Sequence, residues 1–393
     1  MTPAAEIERR IGRLREELGR AGLDAAVIVQ HADLAYLTGT NQQAHLIVPA
    51  AGEPRLLVRR VLDRARRESP LERIAPLRSL SGLAAELEDA GAGLGARVGF
   101  ELDVLPARAY LGYAKRLPGI ELADCTAAVR GVRALKSAWD LEQMAVACEQ
   151  VRLACEAVPG LIGVGVSEAE VQLEVERELR RAGHQGQLRF RGFNQEMHYG
   201  QVLGGPSGAV PGYSDSPLCG PGPNPAIGKG AGAHVLARGD TVIADLVGGH
   251  EGWLSDQTRT FAVGRPPADM AAAYEVAVAI LRAAEERLAP GVAPSALYTL
   301  SEGMAADAGL GEHYMGAGAE RVRFLGHGVG MEIDELPILA PGFDEPLVEG
   351  NVVAIEPKFV FPGRGAVGIE NMYAVTASGF ERMTTASEEL IGA

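Results

Sequence analysis

Long apolar runs are absent from this chain of 393 residues. No stretch of about 18 consecutive apolar residues occurs, so we expect no transmembrane helix. Basic residues are the minority, with 37 Lys and Arg against 51 Asp and Glu, which gives a formal net charge of −14. Nucleic acids and anionic membranes attract basic surfaces, so this charge argues against both as partners. The opening MTPAAEIERRIGRLREELGRAGL lacks the apolar core of a signal peptide, and a cytoplasmic location is therefore expected.

Cysteine is also scarce, with four residues whose spacing fits neither a zinc site nor a disulfide framework. Cys148 and Cys155 lie on a predicted helix, about 10 Å apart along its axis, which is too far for a bridge. We expect both to be small core residues. Cys219 stands in a polar loop where it could be exposed, but no neighbouring histidine supports a reactive thiol there.

The length predicts two domains, each with its own core. Apolar residues make up 47% and charged residues 22%, which is ordinary for a globular protein. The first part alternates predicted helices with β-like runs such as AHLIVPA and RLLVRR, an α/β pattern. Near TAAVRGVRALKS the chain leads into a new helix, so we place one domain at residues 1–130 and a second at 131–393. Two helix starts there have capping-box spacing: Ser137 with Asp140, and Ser167 with Glu170.

Residues 204–230 are rich in glycine and proline and cannot form a helix or a central strand. Two interpretations are open. The segment is either a flexible surface loop or a wall of an active site, since long loops in compact domains are often functional. In the second case Tyr213 and Asp215 are candidate substrate-binding residues.

Acidic residues in the second part stand where a strand core is predicted. Glu356 and Glu370 each follow an apolar run, VVAI or AVGI, and a carboxylate buried there needs a partner or a metal. The turn PGRG between them predicts a hairpin, and Asp245 and Asp256 repeat the pattern around GGHEG. His327 lies between two glycines, which alone could mark a tight turn. Four carboxylates and an imidazole suit Mn, Fe, Co or Zn. Two such divalent ions would balance the four negative charges, which favours a dinuclear hydrolytic centre.

The order of these motifs resembles the pita-bread metallopeptidase family: DQTRTF, then GHGVG, then IEP and IEN. That family includes methionine aminopeptidase, Xaa-Pro aminopeptidase, prolidase and the metal-free relative creatinase. The resemblance covers residues 131–393, and the preceding part resembles the extra domain of the aminopeptidase P and creatinase branch. It implies an α+β fold class, with a pita-bread catalytic domain preceded by an α/β creatinase-type domain, and a homodimer.

Two positions depart from the family pattern. Gly212 stands where the peptidases carry a histidine after a proline, and Asp334 stands where a second histidine follows the HGxG motif. Those histidines contact the substrate in the family. We hypothesise that Asp334 acts in catalysis or binds a cationic group of the substrate. His198, in RFRGFNQEMHYGQV, is a candidate proton carrier, although a hydrogen-bonded structural histidine is the alternative.

The resemblance implies a role for each ligand. Asp245 and Asp256 would bind the first ion, His327 and Glu356 would complete the second, and Glu370 would bridge both. Glu356 would also carry a proton to the leaving nitrogen. The predicted function is a dinuclear-metal hydrolase, similar to Xaa-Pro aminopeptidase or prolidase, that cleaves a peptide or amide bond in a small substrate. A non-peptidase hydrolase or lyase of a small zwitterionic metabolite and a catalytically silent binding protein remain alternatives.

Overall fold

A computed structural model describes residues 1–392 and divides the chain into two compact units. The first unit is Met1–Arg133 and the second begins at Ala134. The boundary predicted at residues 130 and 131 lies close to this division and stays a prediction. Within residues 1–392, none of the helices is both long and apolar enough to cross a membrane.

The first unit is built on a six-stranded mixed sheet in the order β4-β3-β2-β1-β5-β6. Its strands are β1 Ala25–Ile28, β2 Ala44–Pro49, β3 Arg55–Val58, β4 Ile74–Pro76, β5 Arg97–Phe100 and β6 Glu121–Asp124. Its helices are α1 Ala4–Arg20, α2 His31–Thr38, α3 Leu62–Glu68, α4 Leu83–Asp89, α5 Ala107–Arg116 and α6 Thr126–Arg133. The predicted apolar stripe of α1 is buried along its whole length: Ile7, Ile11, Leu14 and Leu18. The burial of that stripe is the main reason why this segment is helical, since packing rather than propensity stabilises most helices.

The second unit combines helices with three sheets, ordered β11-β10-β12-β15-β16, β17-β9-β8-β7 and the two-stranded β13-β14. The helices are α7 Ala138–Ala157, α8 Glu168–Arg181, α9 Ala268–Glu285 and α10 Pro294–Asp307. The strands are β7 Gly200–Gly204, β8 Thr241–His250, β9 Trp253–Ala262, β10 Gly326–Gly328, β11 Glu335–Leu339, β12 Val352–Ile355, β13 Lys358–Phe361, β14 Gly365–Gly368, β15 Asn371–Thr376, β16 Gly379–Arg382 and β17 Ile391–Gly392.

Both predicted capping boxes are confirmed. The Ser137 hydroxyl accepts from the N–H of Asp140 at the start of α7, and the Asp140 carboxylate accepts from the N–H of Ser137 in return. The pair at the start of α8 makes the same reciprocal bonds. These bonds satisfy N–H groups that a helix start otherwise leaves unpaired.

The cysteines behave as core residues. Burial raises the pKa of the Cys148 thiol to about 12 and that of Cys155 to about 11, so neither is a thiolate near neutral pH. Cys219, which the sequence suggested could be exposed, is buried as well. The reason is local: an added Cβ at Gly212 would lie 2.1 Å from the Cys219 sulfur, so the missing side chain makes room for this thiol.

Candidate metal centre

Two of the predicted ligands come from one long hairpin. Strands β8 and β9 pair antiparallel, with Asp245 opposite Thr258 and Asp256 opposite Val247. Because side chains alternate between the two faces of a strand, Asp245, Asp256 and Thr258 project from the same face of this hairpin. The predicted hairpin around GGHEG is thus confirmed, and its two carboxylates are buried.

The predicted imidazole ligand comes from a short central strand rather than from a tight turn. His327 lies in β10, which pairs with β12 on one side and β11 on the other. An added Cβ at Gly326 would lie 1.9 Å from the carbonyl oxygen of Ala354. One at Gly328 would lie 2.2 Å from the carbonyl oxygen of Leu336. Glycines flank the histidine because the neighbouring backbones approach too closely for side chains.

The last two predicted ligands flank the small β13-β14 hairpin. Glu356 directly follows β12, and Glu370 directly precedes β15. Strands β12 and β15 pair antiparallel, with Ile355 opposite Asn371, so the two glutamates leave the paired strands side by side. The hairpin predicted from the PGRG turn is present, as Phe361 pairs with Gly365 across that turn.

Three of these residues form a group suited to a metal ion. Ligand atoms of Asp256, His327 and Glu370 all lie within 4.8 Å of one another. Within residues 1–392, the Oδ1 atom of Asp256 and the Oε1 atom of Glu370 are buried without a hydrogen-bond partner. Burying an unpaired carboxylate oxygen is costly, so both atoms point to a cation as their missing partner. The donor set of oxygen and imidazole nitrogen suits a divalent transition metal.

The histidine presents the correct ring nitrogen to this group. Its Nδ1 atom lies 3.1 Å from the carbonyl oxygen of Gly328, which orients the ring. Its Nε2 atom then faces Glu356 Oε1 at 3.4 Å and Asp256 Oδ2 at 3.8 Å. A ligating histidine is usually held in this way through its second nitrogen.

A lysine that the sequence analysis missed lies among the same carboxylates. Lys358 is the first residue of β13 and is 1% exposed. Its Nζ atom donates to Glu356 Oε2, to Glu370 Oε2 at 3.3 Å and to Asp245 Oδ2 at 3.5 Å. The sequence contained a signal for it, since a charged residue in the apolar run KFVF needs a partner for the same reason as a carboxylate.

Mutual electrostatics determine how these groups ionise without a metal. Burial disfavours the charged form of Glu356, yet Lys358 and His327 together hold the pKa of its carboxyl at about 2. Burial also disfavours the imidazolium, yet Glu356, Asp256 and Glu370 raise the pKa of His327 to about 10. Burial and neighbouring carboxylates raise the pKa of Glu370 to about 7, although Lys358 opposes the shift.

Hydrogen bonds from the TRTF segment, residues 258–261, support this centre. The Thr258 hydroxyl donates to Glu370 Oε2 at 2.7 Å. Arg259, which is buried, donates to the carbonyl oxygen of Glu370 at 2.7 Å and to the side chain of Asn371 at 2.8 Å. The Thr260 hydroxyl donates to the carbonyl oxygen of Gly368 at 2.7 Å. These bonds fix the segment that carries Glu370, and such outer partners orient metal ligands.

We call the cavity above these residues the acid cavity. Its lining includes Phe190, Ser214, Asp215, Lys229, Asp245, Asp256, Phe324, His327, Asp334 and Glu356. The glycine-rich segment at 204–230 therefore contributes to a wall of this cavity, which favours the second of the two interpretations. Of the predicted substrate-binding residues, Asp215 and Asp334 line the acid cavity.

Tyr213 and His198 line a neighbouring depression instead. Tyr213 is 54% exposed. The His198 side chain is 70% exposed, with Nε2 at 3.9 Å from Glu176 Oε2 and its ring packed edge-on against Tyr199. The exposure and the packing of its ring favour the structural interpretation of His198 over the proton carrier.

Asp334 has a structural contact in addition to its place in the cavity lining. Its carboxylate accepts hydrogen bonds from the N–H groups of Arg191 at 2.8 Å and Gly192 at 2.9 Å. It therefore fixes the segment that leads to Phe190 at the cavity wall. Asp334 thus contributes both to the charge of the cavity and to the hydrogen bonds that hold its edge.

Comparison with known proteins fits this geometry. Residues 142–377 match the family model described as metallopeptidase family M24, and residues 10–135 match the creatinase/prolidase N-terminal domain. The chain belongs to metallopeptidase family M24. The predicted resemblance is thereby confirmed, and so is the fold class of a creatinase-type domain followed by a pita-bread catalytic domain.

Named relatives of this M24 chain extend over nearly its whole length. It is 29% identical over 396 aligned residues to the "Probable dipeptidase PepE" of Mycobacterium tuberculosis, covering 98% of this chain and 96% of the relative. It is 25% identical over 389 residues to the Xaa-Pro dipeptidase of Pyrococcus horikoshii, covering 98% of this chain and 99% of the relative. The crystal structure of dipeptidase PepE from Mycobacterium ulcerans superposes with a TM-score of 0.82 at 27% identity. The match covers 99% of this chain and 98% of the PepE chain. The prediction of a metallopeptidase-like hydrolase is confirmed at this level.

Proposed function

We propose that this M24 chain is a metal-dependent hydrolase that cleaves a peptide or amide bond in a small substrate such as a short peptide. The observation that carries the proposal is the group of Asp256, His327 and Glu370, with two buried carboxylate oxygens that have no partner among the described residues. A catalytically silent binding protein would have no need to keep these charges unpaired in its interior.

The residues present suit a divalent ion of Mn, Fe, Co or Zn, held by Asp256, His327 and Glu370. Such an ion would supply a Lewis acid and lower the pKa of water toward neutrality. Glu356 lines the acid cavity, with its Oε1 atom 3.4 Å from His327 Nε2. From this position we assign it the transfer of a proton from water to the leaving nitrogen. The sequence predicted two ions, and the position of Lys358 among the carboxylates bears on that number.

The charges around the acid cavity indicate the substrate class. Asp215 and Asp334 supply negative charge and Lys229 supplies positive charge on the same lining. A short peptide carries a free ammonium group and a free carboxylate, so one end can pair with each sign. Two relatives are named as a probable dipeptidase and an Xaa-Pro dipeptidase, which supports the same class. We therefore propose dipeptides as the first substrates to test.

The same charges favour one alternative. A small zwitterionic metabolite also carries both signs, and the two histidines that peptidases of the resembling family use are replaced here by Gly212 and Asp334. A hydrolase or lyase of such a metabolite is therefore the second candidate. The homodimer and the cytoplasmic location stay predictions.

The test uses the full chain stripped with a chelator and then reloaded separately with Mn, Fe, Co or Zn. Each preparation is incubated with a dipeptide panel that includes Xaa-Pro sequences, and released amino acids are quantified. We expect turnover only after the metal has been restored. The Asp256→Asn variant should lose turnover while it keeps its fold. Equal turnover in the stripped protein would contradict metal dependence. Turnover only of non-peptide zwitterions would favour the alternative.

A further inference from the structure

Lys358 lies where the predicted dinuclear centre needs open space. Its Nζ atom is within 3.5 Å of carboxylate oxygens from three of the predicted ligands, namely Asp245, Glu356 and Glu370. A divalent ion binds carboxylate oxygens at about 2.0–2.2 Å, so an ion held by the same three residues would occupy the volume of the ammonium group. The lysine is buried, and its strand residue pairs with Gly368 across the hairpin. It therefore has little freedom to withdraw.

The carboxylate oxygens around Lys358 differ from those of the group of Asp256, His327 and Glu370 in whether they have hydrogen-bond partners. On the lysine side, Glu370 Oε2 accepts from both Lys358 and Thr258, and Asp245 Oδ2 accepts from Lys358 and from Gln201 at 3.4 Å. The buried oxygens without a partner among the described residues, Asp256 Oδ1 and Glu370 Oε1, belong to two members of the group of Asp256, His327 and Glu370. A missing cation is thus indicated on one side only. The ammonium group already supplies the positive charge on the other.

We propose that the ammonium group of Lys358 takes the place of one metal ion, so that this chain binds a single divalent ion between Asp256, His327 and Glu370. Asp245 then serves as a hydrogen-bond acceptor of Lys358 instead of a metal ligand. Glu356 keeps one oxygen for Lys358 and turns the other toward His327 and the acid cavity. The lysine acts as a positioning residue, because it fixes three carboxylates while leaving room for one ion.

This inference deepens the proposed function, since it specifies the cofactor of the same site, but its test needs no substrate. Metal content is measured on the folded chain without any assay of turnover. A protein that binds one ion and cleaves no peptide would contradict the hydrolase and leave this inference standing. A protein that binds two ions and hydrolyses a peptide would support the proposed function and contradict this inference.

The experiment measures how many Mn²⁺ ions bind per chain, by equilibrium dialysis with elemental mass spectrometry and by isothermal titration calorimetry. We expect one ion per chain in the wild-type protein. Lys358→Ala removes the ammonium group and opens its volume, so a second ion should bind and the count should rise to two. Because the variant leaves carboxylates unpaired without metal, Mn²⁺ should raise its melting temperature more than it raises that of the wild type.

Lys229→Ala is the matched control, because Lys229 also lines the acid cavity but donates to Ser214 at 3.0 Å. It should keep a count of one. Two ions, or none, in the wild-type protein would overturn the proposal. So would a folded Lys358→Ala variant that still binds one ion. If Lys358→Ala does not fold, the wild-type count and the electron paramagnetic resonance signal of bound Mn²⁺ decide: an uncoupled signal supports the proposal, and a spin-coupled pair contradicts it.

Discussion

At the scale of single residues, charge pairing around the acid cavity connects the structure to substrate choice. Lys229 is the lysine of the cavity lining, and its Nζ atom is positioned by Ser214 and lies 5.7 Å from the ring centroid of Phe190. If it binds the carboxylate of a dipeptide, Lys229→Met should raise KM about tenfold or more, since a hydrogen bond to a charged group contributes about 1.5–3 kcal/mol. The turnover number should change little.

The dipeptide amide, which lacks that carboxylate, is the control substrate. Its KM should be the same for the wild-type protein and for Lys229→Met. Steady-state kinetics on both substrates measures the difference. Equal increases of KM for the acid and the amide would show that the variant disturbs the cavity rather than a charge contact.

His198 gives a second prediction at this scale. The sequence suggested a proton carrier, whereas the structure places its ring against Tyr199 in the neighbouring depression, mostly exposed. We expect His198→Ala to keep the turnover number within about twofold, because a proton carrier contributes about a hundredfold or more. A loss of that larger size, with metal content unchanged, would restore the catalytic interpretation.

Lys358 shows what residue-level sequence reasoning can miss. The apolar runs before Glu356 and Glu370 predicted that both carboxylates are buried, and the run KFVF contains the lysine two positions after Glu356. Lysines in β-like runs usually lie at the surface. Only the pairing of strands brings this one between carboxylates that are more than a hundred positions apart along the chain, such as Asp245 and Glu356.

At the scale of elements, local rules predicted much of the fold. The capping boxes, the α1 stripe and both acid-bearing hairpins depend on residues close in sequence, and the structure contains all of them. The segment at 204–230 is rich in glycine and proline and has no helix or strand periodicity, so its contacts could not be predicted. Its packing depends on space left by other elements, as Gly212 and Cys219 illustrate.

The TRTF strand offers a matched pair of variants. Thr258→Val removes the hydroxyl that donates to Glu370 Oε2 while keeping the shape of the side chain. We expect a tenfold to about a hundredfold loss of metal affinity, as for other outer partners of metal ligands. Calorimetric titration with Mn²⁺ measures it.

Thr260→Val is the control, because its hydroxyl bonds only the backbone of Gly368 and no ligand carboxylate. It should lower stability by about 1–3 kcal/mol through unsatisfied backbone groups, with a smaller effect on metal affinity. Similar losses of affinity in both variants would mean that general loosening of β9, rather than the bond to Glu370, controls the centre.

At the scale of the whole molecule, a buried acid in the first unit predicts a pH dependence of stability. Glu101 is fully buried and accepts from the N–H groups of Val29 at 2.7 Å and Gln30 at 3.1 Å. Burial and the nearby carboxylate of Asp33 raise its pKa well above 4.5. A group with a raised folded pKa contributes stability below its unfolded pKa, and that contribution is lost as the pH rises toward the folded value.

Glu101→Gln should remove this contribution to the pH dependence, because the amide keeps an acceptor oxygen for the two N–H groups. Melting temperatures of both proteins are measured from pH 4.5 upward. As the pH rises, the melting temperature of the variant should increase relative to that of the wild type. A constant difference across that range would show that folding does not raise the pKa of Glu101.

The central claim for the whole molecule is that it hydrolyses a small substrate with a metal-dependent site. The most direct measurement is mass spectrometry of the products formed from a dipeptide in water enriched in oxygen-18, with the metal-loaded chain. Hydrolysis predicts one labelled oxygen in the new carboxylate, and no label in the same incubation with Asp256→Asn. Product without the label, as a lyase would give, or no product under any metal loading would contradict the account.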